Sequence, residues 1–244
     1  VYEIQQKTNI EIYRESELTL SHINELDVNN IFIATGSNWR VDGIGRSRRK
    51  EITGLDNIQV LTPTDAIRKQ DSIKDPLVIY DDDQGYLAGV IADHLSSQGH
   101  NVTFVTPASI VSPWTVSTLE QQRVQKSLLN QNVNIIPSKT ISSANGDTLE
   151  MRCIYTNEAT ELACKTLILV TERLPNRTLY LQLLQEASLD SDTPKRHIEL
   201  IGDALAPGLI ADAVFSGHLA AENFETSKKE IERAMFMREM PKLK

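Results

Sequence analysis

Short apolar runs alternate with polar, helix-spaced stretches along the chain, and the first expectations come from that alternation. Ile31-Phe32-Ile33-Ala34-Thr35 is a compact apolar run closed by Gly36, the pattern of a buried strand. The spacing predicts a strand over Leu77–Tyr80, a helix over Gly85–Gln98 and a strand over Val102–Val105, together a βαβ unit. Helical spacing returns over Glu120–Leu129, with a short strand at Val133–Ile136. Glu150–Tyr155, Glu161–Cys164 and Leu167–Val170 read as a small antiparallel set. Ile198–Ile201 reads as a strand ending in Gly202-Asp203. A helix follows from about Leu209 to Phe224, with Ile210, Val214, Ala221 and Phe224 on one face. Residues 38–75, richer in glycine, proline and charge, read as a long connection. Strands alternating with helices imply an α/β fold with a parallel, doubly wound sheet, whose strand ends form a natural ligand crevice.

Composition narrows the partners. The 244 residues are 40% hydrophobic and 24% charged, ordinary globular values, with a net charge of −8. That acidity argues against a nucleic acid or an anionic membrane as partner. No run approaches the ~18 apolar residues of a membrane span, and the polar start carries no signal-peptide pattern, so a cytoplasmic protein is expected. The basic run Arg46-Ser47-Arg48-Arg49-Lys50 reads as a solvated loop. Cys153 and Cys164 have the wrong spacing for a chelate and are expected to be buried free thiols without metal. His22, His94, His100, His197 and His218 are scattered, and Trp39 and Trp114 read as packing anchors. No catalytic motif such as a P-loop or HExxH is present.

The turn inside the βαβ unit is chemically odd. Counting back from Gly99, Leu95 and Ala92 puts the three dinucleotide fingerprint positions at Asp83, Gly85 and Ala88, giving D-x-G-x-x-A in place of G-x-G-x-x-G. Alanine suffices at the third position, which sets helix–strand packing. Asp83 is expected to cap the helix, worth about 1 kcal/mol. It would also oppose a pyrophosphate by roughly 4 kcal/mol at ~4 Å and an effective dielectric near 20. Asp81–Asp83 together read as a solvated, helix-capping turn rather than a metal site. The second strand ends Val105-Thr106-Pro107, without the acid that would hold an NAD ribose. The unit therefore reads as a kept scaffold whose NAD(P)H site has closed.

A second pair of motifs lies further apart. Thr35-Gly36 and Gly202-Asp203 each follow a predicted strand, the arrangement in which an "ATG" and a "GD" strand end flank one nucleotide in flavoprotein disulfide-reductase-like proteins. At this point the sequence resembles a known family. IGDALAPGLIADAVFSGHLAAENF, SNWRVDG, SPWTVSTLEQ and TERLPNRTLY look like the C-terminal region of the trimethylamine dehydrogenase and histamine dehydrogenase branch of the NADH:flavin oxidoreductase family, which also holds dienoyl-CoA reductase.

The resemblance implies Rossmann-like three-layer folds arranged as a glutathione-reductase-like FAD/NAD(P) domain pair, with the first domain truncated. Residues 1–37 and 174–244 would make the partial FAD/ADP-type domain, and residues 38–173 the inserted NAD(P)-binding-like domain. It implies ADP or FAD contacts at Thr35, Gly36, Gly202, Asp203, Leu209 and Ile210. For a longer protein it implies a TIM barrel carrying FMN, a 4Fe–4S cluster, and an electron-transfer flavoprotein as partner. A C-terminal piece of this kind would have no dehydrogenase activity alone. Two alternatives stay open, an NAD(P)H-dependent flavin oxidoreductase fragment and a structural module with no nucleotide. A homodimer is open too.

Overall fold

The computed structural model describes residues 2–26, 28–189, 196–224 and 226. In chain order the elements are α1 (Tyr2–Gln5), α2 (Leu20–Glu25), β1 (Asn30–Ile33), β2 (Ser37–Trp39), β3 (Gln59–Leu61), α3 (Pro63–Arg68), β4 (Leu77–Asp81) and α4 (Leu87–Ser97). They continue with β5 (Val102–Val105), α5 (Gln121–Asn130), β6 (Asn134–Ile136), β7 (Lys139–Asn145), β8 (Thr148–Cys153) and β9 (Ala159–Ala163). The last are β10 (Thr166–Val170), β11 (Arg173–Pro175), α6 (Thr178–Leu189), β12 (His197–Leu200) and α7 (Ile210–Asn223). The chain forms two compact units, Val1–Ser37 with Pro175–Lys244, and Asn38–Leu174.

The unit Asn38–Leu174 is built on a parallel five-stranded sheet in the order β3-β10-β4-β5-β6. β4 and β10 are buried along their whole length, which their continuous apolar runs demand of central parallel strands. One face packs α3, α4 and α5, through Ala66, Ile91, Leu95 and Leu128 against Ile79, Phe104 and Ile168. The other face is covered by the antiparallel sheet β7-β8-β9, through Ile141, Leu149 and Met151 against Val78, Tyr80 and Leu169.

The sheet is not doubly wound, because an antiparallel sheet takes the place of helices on its second face. Leu167–Val170 does not belong to the antiparallel set. As β10 it pairs in parallel with both β3 and β4. Its unbroken TLILV run is apolar on both faces, whereas β8 alternates toward a single core. The "long connection" 38–75 holds β3 and α3, the latter opened by a Thr62–Asp65 capping box with Pro63 in the first turn.

In the other unit β1 and β12 pair in parallel, from Asn30 opposite His197 to Ile33 opposite Leu200. Ile33 packs with Ile23 of α2 and Leu183 of α6, a helix the sequence pattern did not disclose. The outer edge of β1 is unpaired among the described residues. It borders a groove of about 980 Å3 lined by Leu18, Leu20, Ile31, Phe32 and Leu179. Among the described residues, no helix is long and apolar enough to cross a membrane.

Candidate nucleotide-binding sites

The acidic turn of the inserted unit sits at the C-terminal end of the central strand. Asp81 is the last residue of β4, paired with Val170. Beyond it, the backbone N–H groups of Asp82 and Asp83 both donate to the Val170 carbonyl, at 2.9 and 3.0 Å. The chain then reverses through Gln84, whose φ of 63° puts it in the left-handed region, and whose N–H donates to Asp81 Oδ1 at 2.8 Å. α4 begins only at Leu87, with Tyr86 at its cap and no side-chain cap bond. Asp83 therefore does not cap the helix as expected; its carboxylate lies 3.9 Å from the Arg46 guanidinium.

Nor is the turn solvated. Asp81 and Asp82 are both 0% exposed. The cause is topological, since Asp81 continues a strand covered on both faces and Asp82 is roofed by the basic loop. Ser47 N–H reaches both Asp82 oxygens, at 3.1 and 3.0 Å, and Arg48 N–H reaches Oδ2 at 3.3 Å. Arg46 Nε donates to the Asp83 carbonyl, and the Arg48 guanidinium to the carbonyls of Glu51 and Ser142. The basic run is thus a loop exposed to solvent on its outer side, as expected, whose Ser47 and Arg48 N–H groups also close over Asp82. Burial pushes all three carboxyl groups above the ordinary aspartate range, Asp81 furthest. Asp81 Oδ2 has no hydrogen-bond partner.

Ala88 is buried against the sheet, but the closest helix approach falls one residue later. A Cβ on Gly89 would lie 2.7 Å from Val124 Cγ1 and 2.9 Å from Ser112 Oγ. Nothing in the residue pattern distinguishes Gly89 from Ala88. Trp39 packs partly on the helix-side core. Trp114 is no packing anchor; it is 60% exposed, with the Arg46 guanidinium 5.5 Å from its ring centre.

The two thiols also part ways. Cys164 is buried, and burial pushes its thiol up to about 12. Cys153 is only half-buried, and bonds from the Thr156 hydroxyl and the Thr156 and Tyr155 N–H groups bring it down to about 7. At neutral pH a maleimide should modify Cys153 quickly and leave Cys164 untouched until the protein unfolds. Peptide mass spectrometry over time would show this, and equal rates would refute it.

In the other unit the loops after β1 and β12 meet. Ser37 donates its hydroxyl to Asp203 Oδ2 at 2.9 Å, and the Gly208 N–H donates to Asp203 Oδ1 at 3.1 Å. Thr35 donates to the Asn176 carbonyl, and Gly36 accepts from the Asn176 N–H, in a left-handed conformation with open space where a Cβ would be. Gly202 is left-handed too, and its N–H bonds Ser216 Oγ at 2.9 Å. Leu209 and Ile210, at the start of α7, are exposed, and the Leu209 N–H is taken by Asp212 Oδ2 at 2.7 Å. Thr35, Gly36, Gly202 and Asp203 thus lie on adjoining loops, and Ser37 ties them together, a residue the sequence reading passed over. The Asp203 carboxylate is thus engaged by the Ser37 hydroxyl and the Gly208 N–H on this loop cluster. Asp212 places negative charge at the helix start, where a phosphate would otherwise be favoured.

A family model described as "OYE-like second alpha/beta domain" matches residues 61–166. The chain is homologous to dimethylamine and histamine dehydrogenases. It is 26% identical to dimethylamine dehydrogenase of Hyphomicrobium sp. (strain x) over 232 residues, 87% of this chain and 31% of that protein. Histamine dehydrogenase from Rhizobium sp. 4-9 superposes with a TM-score of 0.88 at 31% identity, covering 93% of this chain and 35% of that one. The 6-hydroxypseudooxynicotine amine oxidase of Pseudomonas geniculata N1 follows with a TM-score of 0.85 at 32% identity, covering 92% and 33%. The chain spans about a third of the length of these relatives.

Proposed function

We propose that this OYE-like chain is the C-terminal, nucleotide-binding and partner-docking part of an FMN/iron–sulfur oxidoreductase of the amine dehydrogenase type. In this reading Asn38–Leu174 is a retained scaffold, not an NAD(P)H site. The observation that carries it is the burial of Asp81 and Asp82 at the end of the central strand, beneath a loop that takes up their hydrogen bonds. An NAD(P)H-linked reductase needs that strand end open and uncharged for a pyrophosphate. The helix–sheet–sheet layering of the inserted unit suits the second member of a glutathione-reductase-like domain pair.

Thr35, Gly36, Gly202 and Asp203 would hold the sugar of an ADP or FAD, with Asp203 as hydroxyl acceptor and Leu209 and Ile210 bordering the phosphate. Asp212 at the start of α7 favours the sugar contacts over the phosphate contacts. FMN and a 4Fe–4S cluster, in a barrel beyond this segment, would take electrons from an amine and pass them singly to an electron-transfer flavoprotein. Two unpaired cysteines suit a reducing, cytoplasmic setting.

Two measurements on the purified protein test this reading. Chromatography of the denatured protein should release ADP or FAD, and calorimetry with NADH and NADPH should show no binding below millimolar concentrations. Low-micromolar NADH or NADPH affinity would overturn the scaffold assignment. Absence of any bound or bindable adenine nucleotide would leave the chain a structural module.

A further inference from the structure

The loop over the acidic turn has the chemistry of an oxyanion site. Successive backbone N–H groups that converge on one point form an anion-binding concavity, as phosphate loops do. Here the Ser47 and Arg48 N–H groups converge on the Asp82 carboxylate, Ser47 on both oxygens and Arg48 on Oδ2. Gly45 makes the close approach feasible, since a Cβ there would lie 2.4 Å from Asp82 Oδ2. The loop's shape does not depend on Asp82. The Gly45 N–H bonds the Arg48 carbonyl at 2.9 Å, the Ile44 N–H bonds Asp42 Oδ1 at 3.1 Å, and the Arg48 guanidinium is tied to Glu51 and Ser142. The Arg46 and Arg48 side chains add positive charge, and Arg46 and Ser47 are exposed, so solvent reaches the outer side.

We propose that Gly45–Arg48 is a phosphate-class anion cradle filled from within by the Asp82 carboxylate, which occupies the place of a ligand's phosphate. This rests on the scaffold reading above and adds the means by which the strand end is closed: the cradle is intact and self-occupied. Removing the carboxylate empties it without disturbing the donors. An asparagine at the same position keeps an oxygen acceptor in place and leaves it filled.

The test compares the parent, Asp82→Ala and Asp82→Asn by thermal unfolding and calorimetry with inorganic pyrophosphate, against chloride at matched ionic strength. NADP+ in a parallel arm separates a small anion from a whole dinucleotide, and binding of either by Asp82→Ala supports the cradle. Pyrophosphate should stabilise Asp82→Ala and bind it about tenfold or more tighter than Asp82→Asn or the parent. If Asp82→Ala is unfolded without ligand, pyrophosphate should restore the native circular dichroism. A folded Asp82→Ala that ignores both pyrophosphate and NADP+, an unfolded one that neither rescues, or a parent that responds equally would each overturn the proposal. Tight NADH binding by the parent would instead remove the scaffold reading, so the two fail on different readouts.

Discussion

Asp81→Asn should raise the thermal midpoint, and the gain should grow as pH rises from near the ordinary aspartate value of 3.8 toward the raised folded-state pKa. Asp81 is fully buried; its Oδ1 accepts from Gln84, but its Oδ2 has no partner. Burial, reinforced by the neighbouring charges of Asp83 and Asp82, raises its folded-state pKa well above the unfolded one. Between those two values the native state holds more protons than the unfolded state. The contribution to stability is therefore complete below 3.8 and is lost as pH rises through the folded pKa. Asparagine keeps the acceptor for Gln84 and exchanges a buried charge for a buried amide, which costs less. The Asn amide nitrogen takes the partnerless Oδ2 position, so the gain comes from the avoided buried charge alone, and each kcal/mol moves the midpoint by roughly 2–4 °C at this chain size. Asp42 and Asp65, held low by Arg40 and Lys69, stabilise in the opposite sense and are the same in both proteins, so the difference isolates Asp81. Calorimetric midpoints across a pH series would check it. A gain that stays flat or shrinks with rising pH would sink the idea.

Gly54→Ala should be among the most damaging small substitutions in the inserted unit. Gly54 has φ 79°, and a Cβ there would lie 2.0 Å from the Ala144 carbonyl oxygen, a backbone atom that cannot swing away. Its neighbour Thr53 bridges Ser143 and accepts from the Ala144 N–H at 2.7 Å, so this contact fastens the 38–75 segment to β7. Left-handed strain alone costs about 1–2 kcal/mol. With the clash added, the loss should reach roughly 3 kcal/mol or more, a midpoint drop on the order of 10 °C. Gly146→Ala is the control, since Gly146 has φ 56° with nothing within 4 Å of its Cβ position. Urea unfolding of both variants would decide the matter, and equal losses would show that the Ala144 contact is slack.

The elements that could be read from sequence are those whose burial is local. Strand, helix and strand from Val78 to Val105 announce themselves because each buries its own face, and the structure puts them there. β7 went unread because Ser142, Ser143 and Asn145 break the apolar alternation, and it forms through pairing with β8 across a register shift at Ile141/Ser143. α6 and α3 were passed over although Thr62-Pro63 is a helix-start pattern. At the acidic turn the sequence displayed the charges but not their environment. Asp82 is buried by residues 44–48, more than thirty positions upstream, and by Val170, nearly ninety downstream. Nothing near Asp82 in the chain encodes either neighbour. The position of Asp203 after an apolar run was legible, but its partner Ser37, 166 residues away, was not.

The Asp82 hydrogen bonds carry a consequence for how the unit behaves in a cell. A domain that relies on a bound cofactor gains stability from it as RT ln(1 + [L]/Kd), and so loosens whenever the free ligand becomes scarce. A carboxylate tethered beside its own donors is present at an effective concentration that soluble metabolites do not approach. If the strand end is sealed from inside as proposed, the rigidity of Asn38–Leu174 would be independent of nicotinamide supply and of the ratio of its oxidised to reduced forms.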